Sequence, residues 1–352
     1  SIEQAIVELA AAGQGPHRLF IAAPQPGRAW KPGAFNAAGG WRGAWGSWPG
    51  ASCASAPGRT STFEINGAPS AGLRIEGGFP PNPLADPERC VFSHHTVLSG
   101  DLCGDDPLLS GYSPIPAAPG DPSPGLLVDE NTYHVLTIKN ASELLVIDGL
   151  VIERGNADFG ESPLPDGVAA GQGGGGVYLP PTGVPGSSST FATPVLQNCT
   201  IQLNTGRFGA GLTAARYASS ATKQPSGVLR LKACTIRANR ATEDGGGIAV
   251  GFGHIELDGC LLVSNRAQGY GGAALVAAPY DSSGQMGPGG IAKAIFRQST
   301  IADNQATTTF GGVAFDSLLS GSALEFRGSI LCQNRVGCQY FEVLPDDGCE
   351  AI

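Results

Sequence analysis

The sequence predicts an all-β protein, a parallel β-solenoid in which short strands stack coil upon coil around one core. The first observation is a six-residue motif that occurs five times, as CTIQLN, CTIRAN, CLLVSN, STIADN and SILCQN, ending at residues 204, 239, 265, 304 and 334. The second is a glycine-led apolar strand, which follows four of these motifs and begins at Gly209, Gly245, Gly271 and Gly311. A pattern that recurs in this way indicates a repeat architecture.

Each motif has the composition of a β-strand. In the second one, the β-branched residues Thr235 and Ile236 stand among polar neighbours, and the apolar residues lack helical spacing. A unit of two short strands is too small to bury its own apolar face, so successive units must stack. Stacking at about 4.8 Å places equivalent residues of successive coils directly above one another.

Identical residue types in identical motif positions predict two ladders along the stack. A buried asparagine at a turn can hydrogen-bond to the asparagines above and below it. The predicted asparagine ladder consists of Asn204, Asn239, Asn265, Asn304 and Asn334. A second ladder of small, buried, unreactive side chains consists of Cys199, Cys234 and Cys260.

An amino-terminal helix is expected to cap the solenoid. Ile2, Ile6 and Leu9 fall on one helical face, and such a helix would cover the open end of the strand stack. The expected division of the chain is 1–24 for the cap helix and first strand, 25–130 for irregular coils with long loops, 131–340 for regular coils, and 341–352 for an acidic tail.

Composition and charge argue against two classes of partner. The 53 glycines and 27 prolines, with only 14% charged residues, are typical of a turn-rich β protein. The formal net charge of −9 and the 7% content of aromatic residues argue against nucleic acid. No run of 18 apolar residues occurs, so the chain is not expected to span a membrane.

Basic residues concentrate in the repeats. Residues 195–340 hold 12 basic and 8 acidic side chains, a net charge of +4. Arg240, Arg266 and Arg335 each directly follow a ladder asparagine, and Gln305 interrupts the row. A row of arginines would bind an acidic polysaccharide, or would be a solvated edge that keeps neighbouring molecules apart. Arg240 and Arg266 are therefore candidate binding residues.

Six of the nine cysteines lie outside the predicted cysteine ladder, and they suggest an exported protein. Sparse cysteines in long loops and near a terminus indicate disulfides, which favour an extracellular, cell-surface or periplasmic location. No pair has CxxC spacing, which argues against a zinc site. These six are Cys53, Cys90, Cys103, Cys332, Cys338 and Cys349.

A cluster of carboxylates is the candidate metal site. Asp101, Asp105 and Asp106 fall within six residues, where their charges repel unless water or a hard cation shields them. Calcium accepts such oxygen ligands, and it is the one cofactor that the sequence suggests. An exposed acidic turn is the alternative.

Long insertions follow three of the glycine-led strands, at 180–189, 217–227 and 279–290. Equivalent positions of a solenoid lie on one side, so these long loops are expected on one face. Loops on a rigid scaffold commonly carry recognition. Tyr217 and Tyr280 are therefore expected to contact a protein partner or a glycan.

Several segments occur in a characteristic order: Gly77-Gly-Phe79, 85–89, 95–106, 133–135, 147–157 and 173–177. Their order resembles the right-handed parallel β-helix proteins of the pectin-lyase-like superfamily found on bacterial surfaces. The repeats resemble the GGA(I/L/V) and FxxN motifs of chlamydial polymorphic outer-membrane proteins, with Ile236 and Ile301 in place of the phenylalanine. The resemblance implies a right-handed parallel β-helix. It leaves function open, because such proteins include adhesins, structural proteins, lyases and hydrolases.

Catalytic motifs are incomplete. Hydrolases of this fold carry NTD, DD, GHG and RIK in that order, whereas this chain has only partial matches at 204–206, 104–106 and 253–254, in another order. A lyase needs a basic residue, for which no spacing selects among Arg207, Lys232, Arg237 and Arg297. The sequence therefore favours a noncatalytic exported protein that acts in adhesion, carbohydrate binding or a surface assembly. The alternative is a polysaccharide lyase acting on an acidic glycan.

Overall fold

The strands form parallel stacks. A computed structural model describes residues 17–22, 59, 62–67, 72–80, 88–102, 130–157, 173–182, 190–214, 228–250, 253–277, 292–316, 322–336, 339–340 and 349–351. Within these ranges the regular elements are all β-strands, so the prediction of an all-β chain with stacked parallel strands is confirmed. The expected amino-terminal cap helix lies outside the described residues.

The strands are short, and most have two to six residues. The first eleven are β1 (His17–Ala22), β2 (Phe63–Asn66), β3 (Leu73–Phe79), β4 (Thr96–Ser99), β5 (Leu136–Lys139), β6 (Leu145–Asp148), β7 (Leu150–Glu153), β8 (Asn156–Ala157), β9 (Val177–Leu179), β10 (Pro181–Thr182) and β11 (Thr190–Phe191). The next twelve are β12 (Val195–Gln197), β13 (Thr200–Gln202), β14 (Thr205–Gly206), β15 (Leu212–Ala214), β16 (Val228–Lys232), β17 (Thr235–Arg237), β18 (Arg240–Ala241), β19 (Ile248–Val250), β20 (Gly253–Asp258), β21 (Leu261–Val263), β22 (Arg266–Ala267) and β23 (Ala274–Ala277). The last nine are β24 (Ala292–Arg297), β25 (Thr300–Ala302), β26 (Gln305–Ala306), β27 (Val313–Asp316), β28 (Ala323–Arg327), β29 (Ile330–Cys332), β30 (Arg335–Val336), β31 (Gln339–Tyr340) and β32 (Cys349–Ala351).

Four sheets contain all of these strands except β10 and β11, which pair antiparallel with each other. Sheet A contains β1, β3, β6, β12, β16, β20, β24 and β28, and sheet B contains β4, β7, β13, β17, β21, β25, β29 and β32. Sheet C contains β8, β14, β18, β22, β26, β30 and β31, and sheet D contains β2, β5, β9, β15, β19, β23 and β27. From β6 onward the chain visits sheets A, B, C and D in that order and then returns to A; each such passage is called a coil. The last two strands, β31 and β32, pair antiparallel with the final coil.

Register places like residues above one another, as in the sheet B pairings Ile201 with Ile236 and Leu262 with Ile301. Alternate residues point inward and form one continuous core along the stack. Burying each such side chain contributes about 1.5–3 kcal/mol.

The three long insertions all join a sheet D strand to the following sheet A strand, and most of their residues lie outside the described ranges.

Corners in the chain depend on single left-handed residues. Between sheets B and C the corner residue has a φ of +57° at Leu203, Ala238 and Ser264, and +52° at Asp303. A ladder asparagine follows each of them directly. The left-handed residue ends the strand and turns the chain, and the next side chain then points into the core.

Amide hydrogen bonds connect the five ladder asparagines. The Nδ2 of Asn239 donates to the Oδ1 of Asn265 at 3.0 Å and to the carbonyl of Ile201, one coil earlier, at 3.0 Å. The same Oδ1 also accepts from the backbone N–H of Asn239 at 3.2 Å. Equivalent bonds join Asn204 to Asn239, Asn265 to Asn304, and Asn304 to Asn334.

A glycine ends the ladder on its amino-terminal side. Gly155 occupies the equivalent position of the preceding coil, and its N–H donates to the Oδ1 of Asn204 at 2.9 Å. A Cβ at Gly155 would collide with the carbonyl oxygen of Gly175, so no asparagine fits there.

The three ladder cysteines are buried free thiols. Cys199, Cys234 and Cys260 stack in successive coils, and the Sγ of Cys234 donates to the carbonyl of Leu196 at 3.4 Å. Cys332 is disulfide-bonded, and its register partner across the final antiparallel pair is Cys349.

The expectation of a disulfide is wrong for Cys90. Cys90 is a free thiol whose Sγ donates to the Ser93 Oγ at 3.2 Å within its own turn. Of the other cysteines outside the ladder, Cys53, Cys103 and Cys338 lie outside the described residues.

Replacing Asn265 by alanine should lower the free energy of unfolding by about 1–3 kcal/mol, because the buried amide of Asn239 loses its acceptor. Urea titration of the variant measures this loss. Asn334→Ala is the control: it removes the last, partly exposed amide, where water can replace the lost bonds. Equal losses in the two variants would contradict a buried, cooperative ladder.

Candidate functional site

A row of basic side chains follows the asparagine ladder on sheet C. Arg240, Arg266, Gln305 and Arg335 are the first residues of β18, β22, β26 and β30, and they are register partners. These four residues are here called the arginine file. The residue after each of the first three is a buried alanine, so the file side chains lie on the outer surface, where they are half-buried.

Electrostatic repulsion acts within the arginine file. Burial and then the positive charge of Arg240 lower the pKa of Arg266, and Arg335 adds to this effect, whereas Asp303 opposes it. The Asp303 carboxylate lies 3.8 Å from the guanidinium of Arg335. The guanidinium groups of the file repel one another because the fold holds them one coil apart. An anion bound along the file would offset this repulsion.

The segment that follows sheet C packs closely against the file. A Cβ at Gly246, Gly272 or Gly311 would collide with the carbonyl oxygen of the file residue in the next coil. Those carbonyls belong to Arg266, Gln305 and Arg335, respectively. Only glycine lets the two backbones come this close. The residue before each of these glycines therefore lies beside the file.

That preceding residue adopts the left-handed conformation in every regular coil. It is glycine in four of them, with φ of +72°, +49°, +65° and +66° at Gly174, Gly209, Gly245 and Gly271. In the fifth it is Phe310, with φ of +56°. Holding a phenylalanine in this conformation costs about 1–2 kcal/mol. Gly311, which leads the apolar strand in the sequence, therefore lies one position later than Gly209, Gly245 and Gly271.

Two aromatic side chains are exposed beside the file. Phe310 is 59% exposed, and Tyr270 of the adjoining coil is 45% exposed. The Tyr270 N–H donates to the Asp244 Oδ1 at 2.9 Å, and Tyr270 forms a parallel bridge with Thr309. The backbone that carries both rings is therefore fixed by hydrogen bonds.

The structure brings together Arg240 and Arg266 among the candidate binding residues. Tyr217 and Tyr280 lie outside the described residues, and so do Asp105 and Asp106. Asp101 is buried after β4, and the described ranges contain no group of three acidic, histidine or cysteine side chains suited to a metal. The calcium site remains a prediction.

Sequence reasoning overlooked Tyr270 and Phe310. Their signal was a substitution at an unchanged spacing: the left-handed residue comes six positions after Asn239, Asn265 and Asn304, and only the last of these repeats has a residue other than glycine there. That spacing places Phe310, rather than a glycine, in the left-handed position.

A second charged cluster lies on sheet A, around Glu256. The carboxylate is 3.2 Å from the His254 Nε2, 3.4 Å from Arg230 and 3.6 Å from Arg297. The His254 Nε2 is buried without a hydrogen-bond partner, and burial lowers the pKa of this imidazole. The cluster thus places a neutral imidazole among cations.

The candidate lyase bases do not converge. Lys232 and Arg297 lie on sheet A, with Asp258 between them in register. Arg237 lies on sheet B and donates to the Gln202 Oε1 at 2.7 Å, whereas Arg207 pairs with Glu243 beyond sheet C.

Two buried carboxylates on sheet A belong to an ion-pair network. Asp148 is bridged by Arg74 at 2.5 Å and Arg89 at 2.9 Å, and Arg74 also contacts Glu76 at 3.0 Å. Burial acts to raise the pKa of Asp148, but hydrogen bonds from Asn198 and Arg89 outweigh it and the pKa is lowered. An anionic carboxylate of this kind is suited to structure rather than to general-acid chemistry.

A buried histidine packs against a side chain of sheet D. The ring of His134 stacks on Tyr178 with centroids 4.3 Å apart, and its Nδ1 lies 3.0 Å from the Gly174 carbonyl oxygen. Burial lowers the pKa of His134 to about 4. The imidazole is therefore neutral in the folded protein near pH 7 and is sealed from solvent.

No family model matches the chain, and no curated protein or solved structure matches it either. Among the described residues, no helix is long and apolar enough to cross a membrane.

His134 should make stability depend on pH. Its pKa falls from 6.5 in the unfolded chain to about 4 on folding, so the unfolded state binds the extra proton between these values. Stability is then complete above pH 6.5 and decreases as the pH falls towards 4, by about 3 kcal/mol in total. Urea titrations across this range measure the slope.

His134→Gln should flatten this part of the profile, since the side chain no longer titrates. His95→Gln, at an exposed position, serves as the control and should keep the wild-type slope. An unchanged slope in His134→Gln would rule out His134 as the cause.

Proposed function

We propose that the protein is an exported or cell-surface right-handed parallel β-helix that binds an acidic polysaccharide along its arginine file, without catalysis. The fixed order of four parallel sheets supports the β-helix, which is similar to the pectin-lyase-like architecture. The disulfide at Cys332 supports an exported location.

The arginine file is the observation that carries the binding role. Its guanidinium groups recur at coil spacing, and an acidic polysaccharide presents carboxylates at regular intervals along an extended chain. Guanidinium groups recognise carboxylates by paired hydrogen bonds. Each exposed ion pair contributes little alone, but a polymer engages several in one binding event.

The lowered pKa of Arg266 adds a further reason. Burial is the larger cause of this shift, and the positive charges of Arg240 and Arg335 add to it; carboxylates placed along the file would relieve the repulsive part. The net charge of +4 over residues 195–340 favours approach of an acidic chain to this part of the molecule.

Lyase activity on an acidic glycan is the second candidate, and the cluster around Glu256 favours it. A neutral His254 could accept a proton, and Arg230 and Arg297 could neutralise a uronate carboxylate. Incubation with polygalacturonate or alginate distinguishes the two functions, because a lyase releases unsaturated products that absorb ultraviolet light. The binding function predicts no such products.

The double variant Arg240→Gln/Arg266→Gln should bind alginate or polygalacturonate at least about tenfold more weakly, equivalent to about 1.4 kcal/mol. Calorimetry or surface immobilisation gives the dissociation constant. Wild-type binding should also weaken as salt rises, because screening reduces attraction at exposed sites.

Arg327→Gln is the matched control. This arginine is 61% exposed on sheet A, where it pairs with Glu325, so its loss removes a cation away from the file. If Arg327→Gln and the double variant weaken binding equally, only net charge matters and the file is not the site. Preferential binding of neutral dextran would also refute the proposal.

A further inference from the structure

We infer that Tyr270 and Phe310 form an aromatic platform that stacks against a sugar ring of the polysaccharide bound along the arginine file. This inference rests on the proposed function and assigns the apolar part of the same site. The ligand class is an acidic glycan whose pyranose rings present one apolar face.

The backbone strain at Phe310 is the first argument. Four other coils place glycine in the equivalent left-handed position, where a side chain is unfavourable. The ring does not recover the strain by burial, because 59% of its surface is exposed. A strained residue that adds little to the core is a candidate for a functional role.

The position of the two rings is the second argument. Phe310 directly precedes Gly311, whose backbone contacts that of Arg335, and Tyr270 lies two residues before Gly272, whose backbone contacts that of Gln305. The backbone that carries the two rings therefore lies beside the part of the file where the uncharged Gln305 separates Arg266 from Arg335.

The combination of groups is the third argument. Aromatic rings offer rigid apolar surface that suits the C–H face of a pyranose, and guanidinium groups bind its carboxylates. At Gln305 the file offers an amide that can hydrogen-bond to sugar hydroxyls. An acidic sugar chain needs all three kinds of contact, whereas a small inorganic anion would need only the cations.

Variants at residue 310 separate strain from binding. Phe310→Gly removes the ring and the strain, so the melting temperature should rise by about 2 °C while affinity for alginate or polygalacturonate falls about fivefold. Phe310→Ala removes the ring but keeps a side chain in the left-handed conformation, so affinity should fall similarly without the gain in stability. Tyr270→Ala should also weaken binding about fivefold.

Phe92→Ala controls for the loss of an exposed ring elsewhere, since Phe92 is 88% exposed and lies outside the repeats. It should bind as the wild type does. The inference is overturned if Phe310→Gly, Phe310→Ala and Tyr270→Ala all keep wild-type affinity while Arg240→Gln/Arg266→Gln loses it. That outcome leaves the proposed function standing. Absence of binding in the wild-type protein overturns both.

Discussion

The amide ladder from Asn204 to Asn334 is the interaction on which the regular part of the structure depends. Each corner between sheets B and C leaves a backbone N–H and a strand carbonyl facing the interior, and the asparagine amide satisfies both kinds of group. An unpaired polar group in such a core would cost about twice what a hydrogen bond contributes. Hydrogen bonds in a continuous chain also polarise one another, so the ladder stabilises the stack cooperatively.

The ladder also determines what lies on the surface. Because one asparagine stands directly above the next, the residue that follows it occupies the same outward position in every coil. The fold thereby holds Arg240 and Arg266 side by side despite their repulsion, and core packing supplies the free energy that offsets it. Preorganised cations of this kind lose little conformational entropy when an anion binds. The surface proposed for binding thus results directly from the hydrogen bonding of the core.

Sequence reasoning could identify the ladder and the file because both are defined by one residue type at one motif position. It could not identify the corners, since Leu203 and Ala238 adopt a left-handed conformation that their residue types rarely favour. The stacking of successive coils imposes that conformation, and no local sequence pattern indicates it. Likewise, the end of the ladder at Gly155 depends on a carbonyl from Gly175, which only the three-dimensional path of the chain brings near. Cys90 was misjudged because the bonding of a thiol in a loop depends on which partner comes within reach.

The gap in the file has a physical consequence of its own. Coulomb repulsion falls inversely with distance, so the neutral side chain of Gln305 about halves the interaction between the cations on either side of it, compared with adjacent positions. The same gap removes one site of charge recognition, and that is where the strained Phe310 and the exposed Tyr270 lie. An uninterrupted row of arginines would attract any polyanion, including phosphate-rich ones. Under the proposed function, alternation of charge with apolar surface restricts binding to polymers that alternate in the same way, because each mismatched contact leaves a desolvated group without compensation.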